Sequence, residues 1–106
     1  FQDTLEHYLL KNSEQNKSYA VDKNRLGAKY SNLTYRHVAS IDRYFLLEIE
    51  LLTGRHHQIR AQLNVIGLHI KGDLKYGFDR SNKDASTSAV FFILFLWEQV
   101  LSRLSV

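Results

Sequence analysis

The sequence reads as an α+β domain, and three stretches predict it. Residues 44–52 alternate cleanly, with Phe45, Leu47, Ile49 and Leu51 on one apolar face and Glu48 and Glu50 on the other, as a half-buried antiparallel strand requires. Residues 28–38 carry enough Tyr, Thr and Val to form the strand before it, joined by a hairpin connection at Ser40, Ile41 and Asp42. A helix over about 56–66 follows, where Ile59, Leu63 and Ile66 recur at core spacing.

Taken in order, residues 3–11 are expected to form a short helix. Asp3 can cap it, Glu6 sits three residues later, and Leu5, Tyr8 and Leu9 share one helical face. Residues 12–16 are polar and read as a loop, 18–21 as a short edge strand, and 22–27 as a turn. In the second long strand Leu33 and Tyr35 face one side, and Tyr30, Thr34 and Val38 the other. Gly54 ends the third strand, and Gly67 is a natural left-handed stop for the helix. A Gly72-Asp73 turn and Tyr76-Gly77 close the central stretch. Residues 89–97 are nine consecutive apolar residues, too few to span a bilayer. Their Phe and Ile content favours a buried strand, while Trp97, Val100, Leu101 and Leu104 continue at helical spacing, so the element stays open.

With 106 residues, 44% of them hydrophobic, the chain builds one core and hardly more. It has no Met, so Phe1 is not expected to be a biological start, and the sequence reads as a piece of a longer protein. There is no Cys, which excludes disulfides, thiolate metal sites and thiol nucleophiles. Nothing resembles a secretory signal. The net charge of +3 permits a polyanionic partner without demanding one.

Residues 53–77 hold four of the five glycines together with His56, His57 and His69. A strand ending in Thr53-Gly54-Arg55 and turning into a helix puts backbone N–H groups and an arginine at one mouth, suited to phosphate or carboxylate. From the spacing alone, an ordinary strand-to-helix turn with a solvated arginine is the first reading. His56 and His57, as neighbours on a helix, would diverge by roughly 100°, and no further ligand sits four residues on, so no metal site is expected. Arg60 lies one turn inside the helix, where its fork can hold a carboxylate; a surface arginine is the alternative. Asp73 after Gly72 reads as a turn residue before it reads as a catalytic carboxylate.

The run Leu47-Glu48-Ile49-Glu50-Leu51-Leu52-Thr53-Gly54-Arg55-His56-His57-Gln58-Ile59-Arg60-Ala61-Gln62-Leu63, followed by Gly67-Leu68-His69-Ile70-Lys71-Gly72-Asp73 and Tyr76-Gly77, resembles the RluA-type RNA pseudouridine synthases. Upstream, Ala28 to Tyr35 and Thr4 to Asn12 are similar to further segments of that family. The resemblance implies a mixed, mainly antiparallel sheet with flanking helices, part of a pseudouridine synthase catalytic domain, and no cofactor. It implies that Arg60 pairs with an aspartate nucleophile from an upstream His-Arg-Leu-Asp motif, framed by Gly54, Arg55, His57 and Gln58; separately, the basic cluster Arg55, Arg60, Lys71 and Lys75 is expected to contact RNA. This chain contains no His-Arg-Leu-Asp. It is therefore expected to need the amino-terminal part of the same domain and to be inactive alone, with a non-catalytic RNA-binding remnant as the alternative. Expected partners are RNA (rRNA or tRNA) and that missing part, without a membrane, and the expected location is cytoplasmic. Residues 1–84 carry the family pattern, whereas 85–106 form a divergent hydrophobic tail through which self-association is open.

Overall fold

Four long strands come before the only α-helix of the described residues: β1 Gln2–Asn12, β2 Lys17–Val21, β3 Lys29–Ile41 and β4 Tyr44–Leu51, then α1 Gln58–Val65. A two-residue strand β5 (His69–Ile70), a 3₁₀ turn Leu74–Tyr76 and a last strand β6 (Ala89–Phe95) complete the order. These elements are taken from a computed structural model, which describes residues 1–41, 44–77 and 89–95. One six-stranded sheet runs in the order β2-β1-β3-β4-β6-β5. It is antiparallel from β2 to β4 and parallel across the β4–β6 and β5–β6 pairs.

β1 corrects the expected helix over 3–11. Leu5 and Leu9 are four apart, a spacing that satisfies both the helical repeat and the strand period of two, so these two positions could not discriminate. Partners decide it: β2 pairs along one edge of β1 and β3 along the other. In the strand Leu5, His7 and Leu9 turn toward α1, while Tyr8 moves to the opposite face and meets the Tyr30 ring edge-on at 5.7 Å. Asp3 caps no helix; its Oδ1 accepts the N–H of its neighbour Thr4.

β3 and β4 form on the faces their patterns predict, offset by a bulge between His37 and Ala39 that leaves Val38 40% exposed; Ser40 and Ile41, expected in the hairpin connection, instead extend β3 and pair with Phe45 and Tyr44. The core lies between one sheet face and α1: Leu5, Leu33, Tyr35, Leu47, Ile49, Leu51 and Leu63 form one cluster, and Leu9, Ala61 and Tyr76 a second. The helix ends as Gly67 predicts, with φ at 80°. The N–H of Leu68 reaches the Leu63 carbonyl at 2.9 Å and that of Gly67 the Asn64 carbonyl at 3.0 Å, the paired bonds of a Schellman stop. Ile66, expected in the core, is instead 37% exposed, because it caps the helix from outside.

The apolar run left open resolves over residues 89–95 as a strand beside β4. Trp97 and the helical spacing to Leu104 lie outside the described residues, as do residues 78–88 and the hairpin position Asp42. Among the described residues no helix is long and apolar enough to cross a membrane.

Candidate functional site

β4 delivers the chain into Thr53-Gly54-Arg55, and a buried glutamine closes the turn. Gln58 Oε1 accepts from Thr53 Oγ1 at 2.8 Å and from the Arg55 N–H at 2.9 Å, and its Nε2 donates to the Asn32 carbonyl at 3.0 Å. One of the backbone donors expected to face an anion is thus satisfied internally. The Arg55 side chain leans back, its Nε donating to the Tyr30 carbonyl at 2.8 Å. Gln58 also bonds Gln62 one turn on, at 2.9 Å. Gln62, fully buried, reaches the Leu5 and Ser31 carbonyls and His7 Nδ1 in the sheet. The two glutamines therefore lock the helix over β1 and β3, a role the apolar periodicity could not show.

His56 and His57 do not diverge, which corrects the expected geometry. The helix begins at Gln58, and His57 stands at its cap in the left-handed region with φ 51° and ψ 30°, uncommon for a residue other than Gly, Asn or Asp. Their rings stack at 3.7 Å. Every ring nitrogen has a protein partner: His56 meets Ser18 Oγ at 2.7 Å and Asn16 Oδ1 at 3.0 Å, and His57 meets Tyr76 Oη at 3.0 Å and Arg60 Nη1 at 3.1 Å. Arginine carries donors only, so His57 Nε2 accepts, and its ring proton sits on Nδ1, pointing at Tyr76 Oη. The same phenol oxygen accepts the Ser18 N–H at 2.7 Å.

Arg60 holds a carboxylate from its own chain. Its Nε donates to Asp73 Oδ2 and its Nη2 to Asp73 Oδ1, both at 2.8 Å, a bidentate fork. The Asp73 side chain is 6% exposed and that of Arg60 34%. Asp73 is the turn residue expected after Gly72, since its N–H closes onto the Ile70 carbonyl, and it is also the arginine's partner. The Arg60 guanidinium stacks over the Tyr76 ring, with Cζ 4.8 Å from its centroid, and Lys17 Nζ lies 5.1 Å from the same centroid. Lys75 ties this turn to the β1–β2 loop by donating to the Gln15 and Asn16 carbonyls. Gly77 must stay a glycine: φ is 103°, and a Cβ would sit 2.8 Å from the His69 ring.

A cleft of about 340 Å³ opens beside the pair, lined by Arg60, Lys71, Asp73 and Lys75 among others. Arg60 and Lys71 line this cleft and His57 reaches it through its bond to Arg60, whereas Gly54 and Arg55 line a different cleft and Gln58 lines neither. Lys71 also stands over the Tyr44 ring, at 5.2 Å. Tyr76 was not singled out as a site residue beyond its motif; its phenol, bonded across 58 residues to Ser18, is a contact that only the fold reveals. Among the described residues no three His, Asp or Glu side chains come together as metal ligands.

Burial pushes the Asp73 carboxyl up, yet the Arg60 bond and charge and the Tyr76 N–H outweigh it and hold the group below its ordinary 3.8. His7, His56 and His57 are all held below 6.5, by burial first; for His56 the charges of Lys11, Arg60 and Lys75 add to it, and for His57 those of Arg60 and Lys75. Below pH 6.5 the unfolded chain takes up protons on these rings that the folded chain refuses, so stability falls with acidification. The melting temperature is expected to hold above pH 7 and to decline steadily from pH 6.5 toward 5. A flat or rising profile across that range would refute the neutral histidine assignments.

The sequence that builds this strand, turn and helix matches a known family. Residues 1–65 match the family model for RNA pseudouridylate synthase, and the chain belongs to that family. It is 48% identical over 48 residues to an uncharacterised RNA pseudouridine synthase of Chloroflexus aurantiacus, covering 45% of this chain and 15% of the relative. It is 30% identical over 77 residues to the ribosomal large subunit pseudouridine synthase D of Borreliella burgdorferi, covering 73% of this chain and 23% of the relative. The chain thus spans less than a quarter of the length of these curated relatives. No solved structure gives a significant match. The resemblance carried by the stretch around Arg60 is borne out.

Proposed function

We propose that this chain supplies the arginine wall of an active site that isomerises uridine to pseudouridine in rRNA or tRNA. The observation that carries this reading is the Arg60 fork. After two bonds to Asp73 and one to His57, two of the five N–H donors that an arginine carries remain for an incoming carboxylate or phosphate. The reaction breaks the C1′–N1 bond, forms C1′–C5, releases the C5 proton and returns a proton to N1. Asp73 does not fit the nucleophile's role, since both its oxygens are held by Arg60 and its side chain is buried. The nucleophile is assigned to an aspartate of the amino-terminal part of the domain, which Arg60 would keep ionised. His57 and Gln58 hold the start of the arginine's helix, Gly54 and Arg55 form the turn that leads into it, and Lys71 contacts RNA.

With that part in place the sheet is the mixed, helix-flanked α+β sheet of the family, residues 1–84 carrying the family pattern and 85–106 the divergent tail. A cytoplasmic location goes with an RNA substrate. The strand Ala89–Phe95 remains an edge for self-association, because among the described residues its side away from β4 is paired only at Ala89 and Val90. A second reading, a non-catalytic RNA-binding remnant, is favoured by one observation: Arg60 already has a carboxylate partner in this chain.

Tritium release from C5-labelled uridine in rRNA and tRNA tests the first reading. The chain alone is expected to release none, and the chain mixed with an amino-terminal segment bearing His-Arg-Leu-Asp is expected to release tritium. A mixture that forms a complex and binds RNA yet releases none would leave the binding remnant as the function.

A further inference from the structure

We propose that a second cleft, formed by β1, the start of β3 and the turn from Gly54 to His56, is a phosphate subsite that grips the RNA backbone away from the Arg60 cleft. The proposal rests on the reading of the chain as an RNA-binding protein. The cleft is about 280 Å³ and shares no lining residue with the cleft at Arg60; the stacked His56 and His57 rings stand between Arg55 and Arg60 in the chain.

Strand register builds it. Leu9 pairs with Lys29, so these two side chains lie side by side on the helix-facing side of the sheet. Lys11, two residues beyond Leu9, points to the same side and pairs with Ser18 of β2. The turn after β4 brings Arg55 over this face. Lys11, Lys29 and Arg55, all exposed, therefore line one concavity from three separate elements. Among the described residues no carboxylate lines it.

Three further features suit phosphate. Arg55 is held by one Nε bond to the Tyr30 carbonyl, which fixes the guanidinium and leaves its other donors for a ligand. Gly54 has open space where a Cβ would stand, with nothing within 4 Å, so a ligand can approach the backbone closely. Leu9, 4% exposed, provides an apolar floor. His56 contributes no charge: with Asn16 Oδ1 as acceptor, its proton lies on Nε2 and its Nδ1 accepts from the Ser18 hydroxyl. Its ring is held below the ordinary 6.5 by burial first and then by Lys11, as expected beside a positive cleft. Several cations spread along a groove suit a polyanion that offers successive charges better than a single carboxylate.

Two measurements on the full chain test this. In an amide NMR titration with inorganic phosphate, Lys11, Lys29, Gly54 and Arg55 are expected to shift, and Lys11→Ala/Lys29→Ala to abolish the shifts. Lys23→Ala/Arg36→Ala, which removes the same formal charge from outside the cleft, should leave them. With a single-stranded uridine oligonucleotide, losing two phosphate contacts should flatten the slope of log affinity against log salt by about 1.4 in the cleft variant, and not in the control. Wild-type RNA binding with the same slope in both variants would overturn the subsite while leaving RNA binding intact. Phosphate shifts in the cleft without any RNA binding would support the anion site and sink the RNA reading. Equally tight binding of polyglutamate would overturn RNA as the ligand, and the absence of phosphate shifts would overturn the site itself.

Discussion

Arg60→Ala is expected to destabilise the fold and to remove turnover from the complemented enzyme, two effects that separate experimentally. The stability effect follows from what is left behind: a carboxylate 6% exposed, stripped of both its charged hydrogen bonds. Breaking one side of a fully buried pair costs 3–5 kcal/mol; with Arg60 a third exposed to screening water, about 2–3 kcal/mol is the expected loss in urea denaturation. Asp73→Asn should cost less, and the double variant should cost less than the sum of the two singles, since each removes the other's partner. Arg60→Lys keeps the charge but not the fork, and should recover only part of the stability. A loss below about 0.5 kcal/mol, the range of ordinary surface changes, would show the pair to be ornamental. In the enzyme reconstituted with its amino-terminal part, Arg60→Ala should lower turnover by about a hundred-fold or more, the scale of deleting one preorganised charge-stabilising donor, with a smaller change in RNA affinity. Comparable losses in both would move Arg60 from catalysis to docking.

How far the sequence could lead depended on which residues carried an unambiguous period. Phe45, Leu47, Ile49 and Leu51 alternate with two glutamates, and β4 forms as read, because only a strand separates those sets. Leu5 and Leu9 fit two periods at once, and β1 was misread until its pairing with β2 and β3 was known. The helix was legible from Ile59, Leu63 and Gly67, yet its most buried positions include Gln58 and Gln62, which no apolar pattern marks. Arg60 was singled out by its place one turn inside the helix and by the family resemblance. Its partner was not: Asp73 is thirteen residues away and reads first as a turn residue, so only the approach of the 3₁₀ turn to α1 reveals the ion pair. The stacked histidines escaped for a backbone reason, since no local pattern announces that His57 adopts a left-handed conformation and starts the helix two residues later than expected.

Gln62→Leu should be among the most damaging single changes to the fold, although it places an apolar residue of similar length in a core. Gln62 is 0% exposed. The two N–H donors of its Nε2 are shared among three acceptors, His7 Nδ1 at 2.8 Å, the Leu5 carbonyl at 3.2 Å and the Ser31 carbonyl at 3.3 Å, while its Oε1 accepts from Gln58. Leucine supplies none of these bonds and excludes the water that could replace them. Each buried group left unpaired costs about 1–3 kcal/mol. Neighbouring bonds and the added apolar burial offset part of the sum, so about 3 kcal/mol is the expected net loss, seen as a lower urea midpoint at unchanged slope. A local readout separates this cause from general loosening. Gln62 donates to His7 Nδ1 and so fixes the neutral ring with its proton on Nε2; without that donor the His7 ring nitrogen shifts should report a changed tautomer population, while burial still holds its pKa below 6.5. Destabilisation with unchanged His7 ring shifts would assign the loss to packing alone. The distinction bears on function, because Gln58 joins this network to the turn that carries Arg55, and a helix loosened at Gln62 would shift the fork of Arg60, two residues away on the same helix.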